Sequence, residues 1–447
     1  MTYNLKEFMD YVESKNPWEK EFLQSVEEVV ETIIPFINEN PKYQNKALLE
    51  RMVEPERSIT FRVPWIDDNG NIQVNRGFRF EFNSAIWPYK WGLRFHPSVN
   101  ASILKFLGFE QVFKNALTTL PMWGWKWGSD FNPKWKSDNE VMKFCQSFMS
   151  ELYRHIWPNT DVPAGDIWVG AREIGFLFGQ YKKLKNEFSW VLTWKALEFG
   201  GSLIRPEATG YWLVYFMKNM LETKQDSLLG KKVLISGSGN VAQYACEKAI
   251  ELGARVLTMS DSSGYIYLET WIDKLELEHI KYLKNEKRAR ISEFCEKFPQ
   301  AKFFAWKRPW DNKADIAFPC ATQNEIEEDD AKNLVKNWIF AVGEWANMPS
   351  SPEAINIFKE NKILFSPAKA SNAGWVAVSG LEMSQNSIRY NWTKKEVDEK
   401  LKEIMKGIHN SCVKYGKKEN WEVDYIAWAN IAGFVKVADA MLAQWVV

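Results

Sequence analysis

Lys232-Val-Leu-Ile-Ser-Gly-Ser-Gly-Asn-Val-Ala242 is a short apolar run that ends in glycines and opens into a helical pattern. That pattern runs to Leu252, Gly253 closes it, and Arg255-Val-Leu-Thr-Met-Ser260 is a second apolar strand. Strand, glycine turn, helix and strand make a β-α-β unit, so the spacing predicts a doubly wound sheet from about residue 200 onward. Gly237, Gly239 and Ala242 fit the dinucleotide fingerprint. Glycine lets the backbone turn tightly and approach a pyrophosphate, and the N-terminus of the following helix, at Asn240 and Val241, meets its charge. The motif follows a strand and opens a helix, which is the context it requires. Asp261 lies about 20 residues beyond, where an acid bonds the 2′-hydroxyl of NAD.

Upstream, residues 1–55 read as helical, with Phe22, Val26, Val29, Val30 and Ile33 at helical spacing. Residues 58–66 and 76–83 alternate like strands around the turn Asp68-Asn69-Gly70-Asn71. Helices are expected over 138–156 and 171–185. Downstream, Ala314-Asp-Ile-Ala-Phe-Pro-Cys-Ala-Thr322 ends a later strand at a polar loop, and Ala429 to Met441 is amphipathic.

The chain has 447 residues, which favours two or three domains. Lys+Arg and Asp+Glu are both 57, a balance that argues against nucleic acid or an acidic membrane as partner. The N-terminus lacks an apolar signal core, and no stretch approaches 18 uncharged apolar residues, so the expectation is a cytoplasmic protein without a membrane span. Five cysteines lie scattered, with no Cys-x-x-Cys pair and no zinc-like cluster with the four histidines. They are read as reduced structural thiols, and no metal site is assigned.

Longer matches run in order along nearly the whole chain. They include Tyr89-Lys-Trp-Gly-Leu-Arg-Phe-His-Pro97, Lys105-Phe-Leu-Gly-Phe-Glu-Gln111, Pro121-Met-Trp-Gly-Trp-Lys-Trp-Gly-Ser-Asp130 and Asp161-Val-Pro-Ala-Gly-Asp166. Gly200-Gly-Ser-Leu-Ile-Arg-Pro-Glu-Ala-Thr-Gly210, Pro319-Cys-Ala-Thr-Gln-Asn324, Ala346-Asn-Met-Pro349 and Ser379-Gly-Leu-Glu-Met-Ser384 continue the series. In these segments the chain resembles the hexameric glutamate dehydrogenases of the Glu/Leu/Phe/Val dehydrogenase family. The resemblance implies an α/β fold with two parts. Residues 1–200 would form an α/β substrate-binding and oligomerisation domain, and residues 201–424 a Rossmann-like, NADP-binding domain. Helix 425–447 would pack back on the first domain.

The resemblance also assigns roles. A substrate with two carboxylates needs two separate cations: Lys90 with Ser379 would hold the side-chain carboxylate, and Lys114 with Gln111 the α-carboxylate. Lys126 matches the catalytic lysine, which with a depressed pKa activates water and stabilises an oxyanion. Asp166 would move protons to and from the amine, with the carbonyl of Gly165 beside it. Thr209, Gln323, Asn324, Asn347 and Asn372 match positions that line the cofactor cleft. Ser260-Asp-Ser-Ser-Gly264 resembles the NADP-dependent group, with Lys284 and Arg290 where basic residues hold the 2′-phosphate. NADP is therefore preferred to NAD, and a homohexamer acting on glutamate, 2-oxoglutarate and ammonia is implied. A leucine- or phenylalanine-type dehydrogenase is the alternative, and Lys90 with Ser379 argues against it.

Tryptophan breaks the pattern. There are 23, beside only 24 glycines. Positions 87, 91, 123, 125, 127, 135, 157, 168, 190, 194, 212, 306, 338, 345, 375, 428 and 445 all fall where the resembled family carries glycine. Trp18 and Trp271 are placed with them, Trp421 is left open, and Trp65, Trp310 and Trp392 look native. Overpacking of this kind costs about 1–3 kcal/mol a site, against a total stability of roughly 5–15 kcal/mol. Trp91, Trp125 and Trp127 are expected to crowd the substrate site. A gene in which TGA means glycine, read with TGA as tryptophan, gives this one-way exchange and no other. The competing reading is a truly tryptophan-rich homologue whose cleft is blocked and which binds nucleotide without turnover.

Overall fold

The computed structural model describes residues 2–86, 88–122, 124–346, 348–416 and 424–445, the side chains of Trp91 and Pro206 apart. The chain divides into two compact units, residues 1–203 with 376–397 and 427–447, and residues 204–375 with 398–426.

In the first unit, β1 (Arg57–Ile66), β2 (Ile72–Glu81), β3 (Tyr89–Phe95), β4 (Trp125–Ser129) and β5 (Asp161–Gly165) form one mixed sheet in the order β1-β2-β4-β3-β5. The β1–β2 hairpin is antiparallel with Ile66 opposite Ile72, and its turn is tied by Asp67, whose carboxylate accepts from the backbone N–H groups of Asn69 and Asn71. β3 runs parallel to both β4 and β5. The helix Lys20–Glu39 buries Phe22, Val26, Val29, Val30 and Ile33, the predicted stripe. The helix Asp138–Leu152 starts at a capping box made by Ser137 and Glu140.

Residues 376–397, read from the sequence as part of the second domain, belong to the first unit. The reason is a buried ion pair: Lys195 Nζ lies 3.1 Å from Glu382 Oε1, and both side chains are shielded from water. Gln385 and Asn386 add bonds to Ser202 Oγ and to the Gly200 carbonyl, each 2.8 Å. The helix Tyr425–Gln444 also lies mainly in this unit, where Asp439 accepts from Tyr43 and Asn430 donates to Thr32. It is, among the described residues, the one helix long and apolar enough to cross a membrane by length and composition, with half of its apolar window buried. Lys436 and Asp439 interrupt its apolar run.

The second unit holds the doubly wound sheet. Its strands are β6 (Lys232–Ile235), β7 (Arg255–Asp261), β8 (Gly264–Ile272), β9 (Lys302–Ala305), β10 (Ile316–Phe318), β11 (Ala341–Gly343) and β12 (Leu364–Ser366), ordered β12-β11-β10-β6-β7-β8-β9. The first five positions are parallel, and β8 and β9 add antiparallel pairs at one edge. The strand order reverses between β6 and β10, the topological switch point at which such sheets bind ligands. Leu234, Ala317, Val342, Leu334 and Phe358 belong to the core packed against this sheet.

The backbone treats many tryptophans as if they were something else. Among the described residues 19 non-glycine residues have positive φ, and eight of them are tryptophan: Trp18, Trp135, Trp168, Trp194, Trp271, Trp306, Trp338 and Trp445. Left-handed backbone costs an L-residue about 1–2 kcal/mol, and only glycine, and at times Asn or Asp, visits it routinely.

Candidate active site

The catalytic candidates of the first unit gather on one face of its sheet by strand periodicity. Side chains alternate along a strand and share a face across paired positions. Lys90 and Arg94 on β3 therefore point the same way, with Gly92 between them. β3 and β4 pair at Leu93 and Trp127, which puts Lys126 on that face beside Gly92. β3 and β5 pair at Leu93 and Gly165, so Asp166, just beyond the strand, arrives beside Arg94. Asp166 Oδ2 accepts from Lys126 Nζ at 2.6 Å and from Arg94 Nε at 2.9 Å. Gly92 makes room for this: a Cβ there would stand 2.7 Å from the Cβ of Asp166.

The helix Ala101–Leu117 covers the same face and supplies Gln111, Lys114 and Asn115. Asn115 Nδ2 donates to the Lys90 carbonyl at 3.0 Å, and Gln111 Nε2 donates to Asn115 Oδ1. Lys90 is fully buried and donates to the Val162 carbonyl at 3.0 Å. Two buried acceptors lack a partner: Gln111 Oε1 and Ser379 Oγ. A hydroxyl buried without a partner costs free energy that an incoming ligand oxygen recovers.

Electrostatics sorts the roles. Burial pushes the Lys126 ammonium down to about 7. The Asp166 carboxylate opposes that shift, and Arg94 and Lys114 reinforce it. Burial likewise brings Lys114 to about 8, against the pull of Glu110 and Asp166. At Asp166 burial works against ionisation, but Arg94 and Lys126 outweigh it and hold the carboxyl well below its usual range. The site thus holds a carboxylate that stays ionised beside lysines that give up protons near neutrality. Such opposed shifts mark acid–base sites. Arg94 and Asn115 are absent from the sequence assignment. Arg94 was legible in principle, two alternations after Lys90 on one strand; Asn115 acts through helix packing, which no local pattern announces.

Trp125 and Trp127 do not crowd this face, contrary to expectation. They alternate with Lys126, so their indoles lie on the other side of the sheet. There they meet the Arg79 guanidinium, 5.0 and 5.1 Å from the two ring centroids, and Trp127 also meets Phe61 and Phe148. Trp87, Trp123 and Trp421 lie outside the described residues, as does Asn347.

In the second unit, Gly237 has φ +83, and a Cβ there would stand 3.0 Å from the Cys320 carbonyl oxygen, so the turn at the switch point suits glycine. Gly239 precedes the helix Asn240–Glu251 with no side-chain cap, and nothing stands within 4 Å of where its Cβ would be. The helix start, with Asn240 and Val241 in its first turn, thus lacks a side-chain cap, and such an uncapped N-terminus is the kind of cradle a pyrophosphate needs. Ser260 Oγ accepts from the Gly237 N–H at 2.7 Å, tying the turn to the end of β7.

Asp261 follows. Its carboxylate accepts from Ser263 N–H and Oγ, from Ile291 N–H at 2.8 Å and from Lys284 Nζ at 2.9 Å. Burial opposes ionisation, yet these donors bring the carboxyl down to about 2. Lys284 projects from a π-helical turn, Tyr282–Glu286, of a kind frequent at functional sites. Arg290 Nη1 reaches Ser262 Oγ at 2.6 Å. Asp261 is thus committed to internal donors, while Lys284, Arg290 and the Ser262 and Ser263 hydroxyls collect at the strand end. That donor set suits a phosphate better than a ribose hydroxyl. The remaining assignments sit on other segments: Thr209 on the helix Arg205–Glu222, exposed Gln323 with left-handed Asn324 after β10, and Asn372, which donates to the Trp345 carbonyl at 3.2 Å. Among the described residues no group of three or more His, Cys, Asp or Glu could hold a metal ion.

Comparison with known proteins agrees with this geometry. The profile described as Glutamate/Leucine/Phenylalanine/Valine dehydrogenase matches residues 200–444, and its companion, Glu/Leu/Phe/Val dehydrogenase, dimerisation domain, matches residues 55–183. An NAD(P)-specific glutamate dehydrogenase from Xylanibacter ruminicola is 58% identical over 438 residues, 98% of each chain. An NADP-specific glutamate dehydrogenase from Haemophilus influenzae is 58% identical over 444 residues, 99% of each chain. The solved glutamate dehydrogenase of Plasmodium falciparum superposes with a TM-score of 0.96 at 52% identity, covering 99% of this chain and 95% of that one.

Proposed function

We propose that this chain, which belongs to the Glutamate/Leucine/Phenylalanine/Valine dehydrogenase family, is an NADP-dependent glutamate dehydrogenase. It would interconvert L-glutamate, NADP⁺ and water with 2-oxoglutarate, ammonia, NADPH and a proton. The observation that carries this reading is the Lys126–Asp166 pair, with Lys90 on the same sheet face and Lys114 on the helix that covers it. The dinucleotide, when bound in the Gly237–Asp261 cradle, supplies hydride exchange with the substrate Cα.

Lys90 with Ser379 holds the side-chain carboxylate, and Lys114 with Gln111 the α-carboxylate. The orphaned Ser379 hydroxyl supports that placement as a donor to a carboxylate oxygen. Asp166 enters as a carboxylate and accepts a proton from the substrate amine, beside the Gly165 carbonyl. Lys126, neutral near pH 7, takes a proton from the attacking water, then as ammonium stabilises the carbinolamine oxygen. A homohexamer in the cytoplasm completes the reading; the dimerisation-domain profile over residues 55–183 supports the self-association in it.

Purified protein tests this directly. NADPH oxidation is expected with 2-oxoglutarate plus ammonium, and to fall at least about 100-fold with 4-methyl-2-oxopentanoate or phenylpyruvate, because an apolar side chain offers the buried Lys90 ammonium and Ser379 hydroxyl no carboxylate to bond. Equal rates with the apolar oxo acids would favour the leucine- or phenylalanine-type alternative. Ser379→Ala is expected to raise KM for 2-oxoglutarate about 10–100-fold, the worth of a hydrogen bond to a charged group, with kcat little changed. An unaltered KM would remove Ser379 from the site.

A further inference from the structure

We infer that glycine stands, in the protein its own cell makes, at the positions where this chain carries left-handed or orphaned tryptophan, the codons there being TGA read as glycine. Three independent observations converge on it. The first is backbone conformation. Eight tryptophans adopt left-handed φ between 56° and 73°, where a bulky side chain is an outlier and glycine the ordinary occupant. Trp135 and Trp18 are 99% and 91% exposed, so no packing of the indole holds them there.

The second is hydrogen bonding. Trp125, Trp127, Trp212 and Trp345 bury their Nε1–H without a partner. Trp65 and Trp310, buried to a like degree, do not: their Nε1–H groups donate to Asn75 Oδ1 at 2.8 Å and to the Glu325 carbonyl at 3.0 Å. Buried tryptophan that belongs to a fold finds an acceptor for its indole. Here the two kinds of tryptophan separate on that test, and the division is the one the sequence suggests.

The third is contact with true glycines. Trp212 packs so tightly on the Ala373–Ile388 helix that a Cβ at Gly374 would lie 2.5 Å from the Trp212 Cβ. The rings of Trp194 and Trp190 fill the space a Cβ would take at Gly165 and Gly200. Those helices and turns approach at glycine-to-glycine distance, and the indoles occupy what little room is left.

A single-base relation links TGA to the glycine codon GGA and to the tryptophan codon TGG. One decoding rule therefore explains every site at once, and it explains why Trp65 and Trp310 escape: their codons are TGG. The consequence is a protein with fewer tryptophans, whose backbone is unstrained at the eight left-handed positions.

Two readouts test this, and neither depends on activity, so failure here is distinguishable from failure of the proposed reaction. The first is the gene: TGA is expected at 125, 127, 135, 212, 306 and 338, and TGG at 65 and 310. The second is mass spectrometry of the peptides covering 122–136 and 302–313 from the protein isolated from its own cells. Each affected position is expected to be lighter by the difference between an indolylmethyl group and a hydrogen, with Trp310 retained in the same peptide as glycine at 306. TGG codons at 125, 127 and 306, or tryptophan masses there, overturn the inference.

Discussion

Lys126→Met lowers kcat for glutamate oxidation by about 10²–10⁴-fold, the span that a positioned acid–base group supplies. Methionine keeps the length and apolar stem of the lysine and removes the nitrogen, so the β4 packing survives while Asp166 keeps Arg94 as its partner. NADPH binding, which depends on the other unit, stays within about twofold of the parent. In the parent the pH profile follows Lys126. A folded-state pKa near 7 means the nitrogen is protonated, and unable to act as base, below that pH. The rate of oxidative deamination therefore falls as pH drops through about 7, tenfold per unit once well below it. Stability moves in the same direction: the unfolded chain binds a proton at this lysine up to its ordinary pKa of 10.5, so between about 7 and 10.5 folding gains as pH rises. Stopped-flow and steady-state rates across pH 5.5–9 measure the first effect. A Lys126→Met enzyme within about threefold of the parent rate would mean that another group is the base.

Lys284→Ala shifts cofactor choice. Lys284 both holds Asp261 at 2.9 Å and places a cation at the end of β7. Removing it costs a charge-assisted contact to the 2′-phosphate and frees the Asp261 carboxylate to repel that phosphate and to accept from a ribose hydroxyl. KM for NADPH is expected to rise about 10–100-fold, while KM for NADH stays level or falls. Steady-state rates with both cofactors decide it. Parallel changes for NADPH and NADH would show that Lys284 acts only on the shape of the loop.

Some of this was written locally in the chain. The glycine turn between β6 and its helix needs positive φ at Gly237 and an uncapped helix start, and both are local demands that Gly237-Ser-Gly239 answers by itself. The stripe of the helix Lys20–Glu39 and the hairpin around Asp67 are equally local. The lysines could be named because the motifs that carry them are contiguous and run through the whole chain. Their being on one face of one sheet was not visible: β3, β4 and β5 are short, and they pair in an order that the sequence does not run in. Strand pairing placed Gly92, Lys126 and Asp166 side by side, added Arg94 to the cluster, and sent Trp125 and Trp127 to the opposite face. The ion pair of Lys195 with Glu382, 187 residues apart, brought Ser379 into the unit that holds Lys90. Local conformation follows from the residues that adopt it, so the sequence determined the turns, the helical faces and the fingerprint. Burial, pKa and the company a side chain keeps depend on residues distant along the chain, and only the tertiary structure decided those.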